Sequence, residues 1–171
     1  MTTYCGQGIR FQYPEDWAIQ EQSQGDEHLI TVSSPATTFW SLGLFYGSPT
    51  PEHVVQTVLR ALEDDYPEMD VYESRETVLE RQTVARDVEF VCLELLNSAR
   101  IRAFQTERFT VLIMSQSTDD EFEELEPVLD AITQSLECDI DPLEGTGRYL
   151  PEEIIGRERG DDRDSPNADD C

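Results

Sequence analysis

Apolar and polar positions alternate near the start of the chain: Ile9, Phe11 and Tyr13 fall on one side, Arg10 and Gln12 on the other. A period of two predicts a half-buried strand. It stops at Tyr13-Pro14-Glu15-Asp16-Trp17, because Pro14 cannot donate to a ladder and the acidic pair favours a turn. Residues 18–21, 29–33 and 39–46 read as further strands, and the polar run 22–28 reads as a hairpin connection with His28 in the loop. The first third is therefore expected to be an antiparallel meander.

The period then changes. Thr50 is a suitable N-cap, Pro51 suits the first helical position, and Glu52 complements the positive end of the dipole. Val54, Val55, Val58, Leu59 and Leu62 recur at helical spacing and form one apolar stripe. Tyr66 before Pro67 ends the helix. Strands are expected over 71–79, 83–96, 99–107 and 109–117, with 109–114 apolar or β-branched on both faces, as in a central strand. Thr118-Asp119-Asp120-Glu121 has the spacing of a capping box, with Glu121 reaching back toward Thr118. Phe122, Leu125, Leu129, Ile132 and Leu136 then mark a second amphipathic helix.

These elements predict an α+β domain over residues 1–138, an antiparallel sheet with two main helices packed on its faces. From Asp139 onward the chain is polar and acidic, with four Gly and three Pro, and is expected to be a disordered tail. Within it, 149–155 carries Tyr149, Leu150, Ile154 and Ile155 behind Pro151, enough for a single helical turn.

Charge narrows the function classes. The chain holds 37 acidic residues against 12 basic ones, every one an Arg, for a net charge of -25. Residues 1–138 contribute 26 acidic and 8 basic side chains, or -18, so the acidity belongs mainly to the domain. Such a surface repels phosphate backbones and anionic headgroups, so neither nucleic acid nor a membrane is an expected partner. Absence of Lys fits codon usage better than a high-salt habitat. The N-terminal residues lack a basic region followed by an apolar stretch, and a cytoplasmic location is expected.

Catalytic patterns are missing. There is no phosphate loop, GxSxG, HExxH or dinucleotide fingerprint, and no cofactor or metal is expected. Cys5, Cys92, Cys138 and Cys171 form no CxxC pair; Cys92 reads as a buried small hydrophobe and Cys171 as a terminal thiol. His28 and His53 have no nucleophile beside them in sequence. The carboxylates of 63–65 and of Glu123, Glu124 and Glu126 read as solvated helix positions, and 161–164 lacks the Gly and Glu of a calcium loop.

The candidate partner-binding residues are Arg100, Arg102, Arg108 and Trp17. Arg100 and Arg102 are two apart on one strand and share a face, and could grip an anionic partner bidentately. The alternative, favoured by the abundance of Asp and Glu, is pairing with the protein's own carboxylates. Trp17 could anchor a partner or, as its size favours, the edge of the core.

The segment Phe11-Gln12-Tyr13-Pro14-Glu15-Asp16-Trp17 resembles the F-x-Y-P-x-x-W opening of small domains with the fold of PsbP, the extrinsic photosystem II protein. Yeast Ran-GTPase release factor and bacterial DcrB-like proteins share that fold. The resemblance spans about residues 8–136, including the helix that ends at Tyr66-Pro67 and the last amphipathic helix. It implies an α-β-α sandwich and a non-catalytic binding or assembly role with an unidentified protein partner. The second function class is a small-molecule or lipid site between the sheet and the helix bearing Val54, Val58 and Leu62.

Overall fold

The computed structural model describes residues 1–138. The acidic segment 139–171, with its short apolar run and Cys171, lies outside the described residues.

Seven antiparallel strands form the main sheet, in the order β3 (Ala18–Gln24), β4 (Glu27–Ser33), β5 (Phe39–Phe45), β11 (Thr110–Thr118), β10 (Leu95–Gln105), β9 (Val84–Cys92), β6 (Asp70–Ser74). Helix α1 (Pro51–Asp65) covers one face and α2 (Asp119–Gln134) the other. Beside α2 a small sheet of β1 (Thr2–Gly6), β2 (Ile9–Tyr13) and β12 (Glu137–Cys138) completes that second layer. The antiparallel sheet with two helices packed on its faces, expected from periodicity, is present, arranged as the α-β-α sandwich that the resemblance implies. As expected, β11 is a central strand, buried at all but two of its nine positions.

Strand β2 differs from expectation in its partner. It leaves the meander and pairs with β1, which carries no apolar alternation. Backbone bonding to β2 holds β1, together with the stacking of Tyr4 on Phe11 at 5.1 Å. Ile9 and Phe11 are fully buried against α2 rather than within the main sheet.

Among the described residues, three two-residue turns have both residues at positive φ, the geometry that matches the twist of a tight hairpin. Gln7-Gly8 is one; the others are Leu79-Glu80, between β7 (Thr77–Val78) and β8 (Arg81–Gln82), and Leu93-Glu94, between β9 and β10. The last of these splits the expected strand 83–96, because Leu-Glu carries none of the turn residues that sequence patterns detect, and the expected strand 71–79 breaks at Arg75-Glu76 into β6 and β7. His28 is also re-placed. It lies in β4, buried, with its ring nitrogens against Ser23 and Glu21, because the β3–β4 turn needs only Gly25-Asp26. The polar run belongs to strands because β3 is an exposed edge.

Both helix starts fall where expected. Thr50 Oγ1 accepts from the His53 amide at 3.2 Å, and Pro51 opens α1. Val54 and Val55 pack on Val88, Phe90, Ala99, Ile101, Ala103 and Leu112; the two alanines let the helix sit close to the sheet. Helix α2 begins after Thr118, but the expected capping box does not form. The Glu121 carboxylate instead leaves its helix and receives the Thr37 amide at 3.3 Å, the Thr38 amide at 3.0 Å, and both threonine hydroxyls. It ties α2 to the loop before β5. Pro127 lies inside α2, where it forgoes one helical hydrogen bond. The helix persists because Leu129 and Ile132 are buried against the sheet.

Candidate functional site

On the α2 face of β10 the side chains change character along the strand. Phe104 is part of the apolar core, but the next two inward positions are Arg102 and Arg100. Beside them a cleft of about 550 Å³ opens between α2 and the segment that leaves β6. Arg75, Glu76, Val78 and Leu79 line one wall, Asp130, Thr133 and Gln134 the other, and the two arginines the sheet side.

Arg100 donates to Asp130 Oδ1 at 2.9 Å and to Glu126 Oε1, two carboxylates one helical turn apart on α2. Its guanidinium also lies 5.2 Å from the centre of the Phe122 ring. Arg102 is 5% exposed and donates from Nε to Glu76 and from Nη1 to the carbonyls of Arg86 and Ile101 at 3.0 and 3.1 Å. Its Nη1 lies 2.8 Å from Asp87 Oδ1 but out of line for a hydrogen bond, so that contact is ionic. One arginine thus fastens α2 to the sheet, and the other fastens the segment before β7.

The expected shared face of Arg100 and Arg102 is observed, and both engage the protein's own carboxylates. Arg108 is not brought to them. It is exposed in the β10–β11 turn, near Tyr46, whose phenol is pushed up by burial and drawn partly back by this guanidinium. Trp17 is 7% exposed and belongs to the core cluster with Ile30, Val32 and Trp40. Arg75 carried no sequence signal, being one arginine between Ser74 and Glu76. It is exposed at the cleft, with no ion pair among the described residues. The cavity lies on the face opposite α1, not beneath Val54, Val58 and Leu62.

A second surface lies at the far edge of the sheet. Among the described residues, six of the nine exposed large apolar side chains gather there: Val71 and Tyr72 on β6, and Val91, Leu93, Leu95 and Leu96 on the β9–β10 hairpin. Leu93, at the turn, is 90% exposed and Val91 64%. Val91 stands directly across from Leu96. Asp70, Glu73, Glu89 and Glu94 are interspersed with them. Among the described residues β6 pairs only with β9, and no described strand lies along its outer edge.

No protein-family model matches the chain, and neither does any curated protein. Solved structures do match. The solution structure of cyanobacterial PsbP (CyanoP) from Synechocystis sp. PCC 6803 superposes with a TM-score of 0.56 at 10% identity, covering 80% of this chain and 91% of that one. PA94 of Pseudomonas aeruginosa, a protein of unknown function, gives 0.50 at 16% identity, covering 79% and 94%. With a seven-stranded antiparallel sheet between two helices, and with these superpositions, the domain has the PsbP-like fold.

Proposed function

We propose that this domain is a non-catalytic protein-binding module that meets its partner at the β6 edge and the β9–β10 hairpin. The observation that carries this reading is the gathering of six exposed apolar residues on one edge of a sheet whose other apolar side chains are mostly buried. Contiguous apolar surface rimmed by polar groups marks interaction sites. The rim is acidic, and the whole chain carries -25, so a second copy would be repelled. The matching occupant is an extended segment with alternating apolar and basic side chains. It would add to the open edge of β6 by main-chain hydrogen bonds, beside Val71 and Tyr72, and continue past the start of β6 to lay its remaining apolar residues on Val91 and Leu93 at the hairpin end.

The test uses the full chain and a synthetic peptide of alternating Val and Lys, about eight residues long as strands usually are. Its twin has Glu for Lys. Binding of the Val/Lys peptide is expected, and the Val91→Ser, Leu93→Ser double variant should weaken it about tenfold through lost apolar contact. Equal binding of the Glu twin, or an unchanged affinity in the double variant, would overturn the proposal.

A further inference from the structure

The cleft beneath α2 is independent of that edge and has its own chemistry. Ionic groups are a costly way to hold a sheet to its covering elements, since each must be stripped of water; apolar packing does the same at less cost. On this face the sheet uses apolar packing almost everywhere, through Val32, Leu42, Phe104, Val111 and Ile113. Beside the cavity, Arg100 and Arg102 take the place of that packing. There the walls present both signs of charge. Asp130 gives Oδ1 to Arg100, and Glu76 gives Oε2 to Arg102, leaving each carboxylate a second oxygen. Arg75, across from α2, has no ion pair among the described residues. Val78 and Leu79 supply a small apolar wall.

We propose that this cleft binds a small zwitterion of the α-amino-acid class. The carboxylate is received by the Arg75 guanidinium, whose planar fork suits bidentate recognition. The ammonium sits between Asp130 and Glu76, and a short aliphatic side chain rests on Val78 and Leu79. A volume of about 550 Å³ lies within the range of small-molecule sites. The internal ion pairs serve this arrangement by fixing the two carboxylates, so that little ordering remains when the ligand arrives.

Calorimetric titration of the full chain with L-leucine tests the assignment, alongside two truncated analogues. 4-Methylvalerate lacks the amine and isoamylamine lacks the carboxylate. L-Leucine is expected to bind saturably with Kd below about 1 mM, and each analogue at least about tenfold more weakly. Arg75→Gln should weaken leucine about tenfold and leave isoamylamine unchanged, since only the carboxylate contact is lost. Arg75 is exposed, so this variant keeps its fold, which its thermal midpoint verifies; Arg108→Gln, outside the cleft, should leave binding as it was. Absence of saturable binding by leucine, valine, alanine and glycine alike would overturn the proposal. So would equal affinity for 4-methylvalerate, which would mark a plain anion site, or an Arg75→Gln variant that binds leucine like wild type.

Discussion

Replacing Glu121 with alanine removes the acceptor of four hydrogen bonds: two from the amides of Thr37 and Thr38 and two from their hydroxyls. Hydrogen bonds to a charged group contribute about 1.5–3 kcal/mol when shielded and less when wet. The Thr37 pair is exposed and contributes little. Thr38 is fully buried; its hydroxyl keeps a contact with Ser117 Oγ at 3.0 Å, but its amide is left with nothing to replace the carboxylate. The expected loss is about 2–3 kcal/mol. For a domain of this length that lowers the thermal midpoint by roughly 5–10 °C. The effect has a pH signature. Burial pushes the Glu121 carboxyl up, but the side-chain and backbone bonds from Thr37 and Thr38 outweigh it and hold the group below its ordinary value. A depressed folded value stabilises the fold above the unfolded value of about 4.3, and that stability is lost as pH falls through the folded value. Thermal melts of wild type and Glu121→Ala should therefore differ at pH 7 and converge at the acid end. Equal midpoints at pH 7, or a gap undiminished in acid, would show that Glu121 does not bind the loop to α2.

Two further outcomes follow from burial and backbone geometry. Trp17→Ala should cost about 3–5 kcal/mol, as the loss of a buried aromatic does, whereas Arg108→Gln should stay within about 0.5 kcal/mol; urea midpoints distinguish them, and similar values would contradict their placement in core and turn. Leu93→Asn with Glu94→Gly should raise the thermal midpoint, because Leu93 and Glu94 hold φ of 51° and 65° and each non-glycine residue there costs about 1–2 kcal/mol; an unchanged or lower midpoint would mean that the exposed leucine contributes packing.

Much of the architecture was legible in the sequence because period and punctuation agreed. Thr50-Pro51 opened α1, Tyr66-Pro67 closed it, and the both-sided apolarity of 109–114 announced a central strand. What escaped was decided by tertiary partners. Glu121 has the spacing of a local cap, yet Thr37 and Thr38, more than eighty residues away in sequence, offer it more donors than Thr118 does. Strand β1 is held by backbone bonding rather than by an apolar face of its own. The turns at Leu79-Glu80 and Leu93-Glu94 bear residues that only the flanking strands can force into left-handed geometry. At the candidate site, a spacing of two put Arg100 and Arg102 on one face, and their partners are carboxylates of α2, β9 and the segment before β7. Arg75 joins them only because the chain folds back after β6. Its neighbours in sequence carry no trace of that proximity.

The small sheet brings both ends of the domain to one place. Strands β1 and β12 lie on either side of β2, with Thr2 opposite Tyr13 and Cys138 opposite Ile9. Ile9 and Phe11 are therefore among the first residues of the domain to be synthesised, but α2 and β12, which cover them, are among its last. A nascent chain cannot seal this layer until residue 138 has emerged. Through that interval the apolar faces of β2 and β5 must wait uncovered, at the stage of synthesis when chains most readily aggregate. The same sheet offers a rearrangement of the gene: residues 2 and 138 are two strand spacings apart across β2, about 10 Å, and four residues apart along it, about 14 Å, so a linker of roughly eight residues could join them and allow new ends to be opened at the exposed Leu93-Glu94 turn.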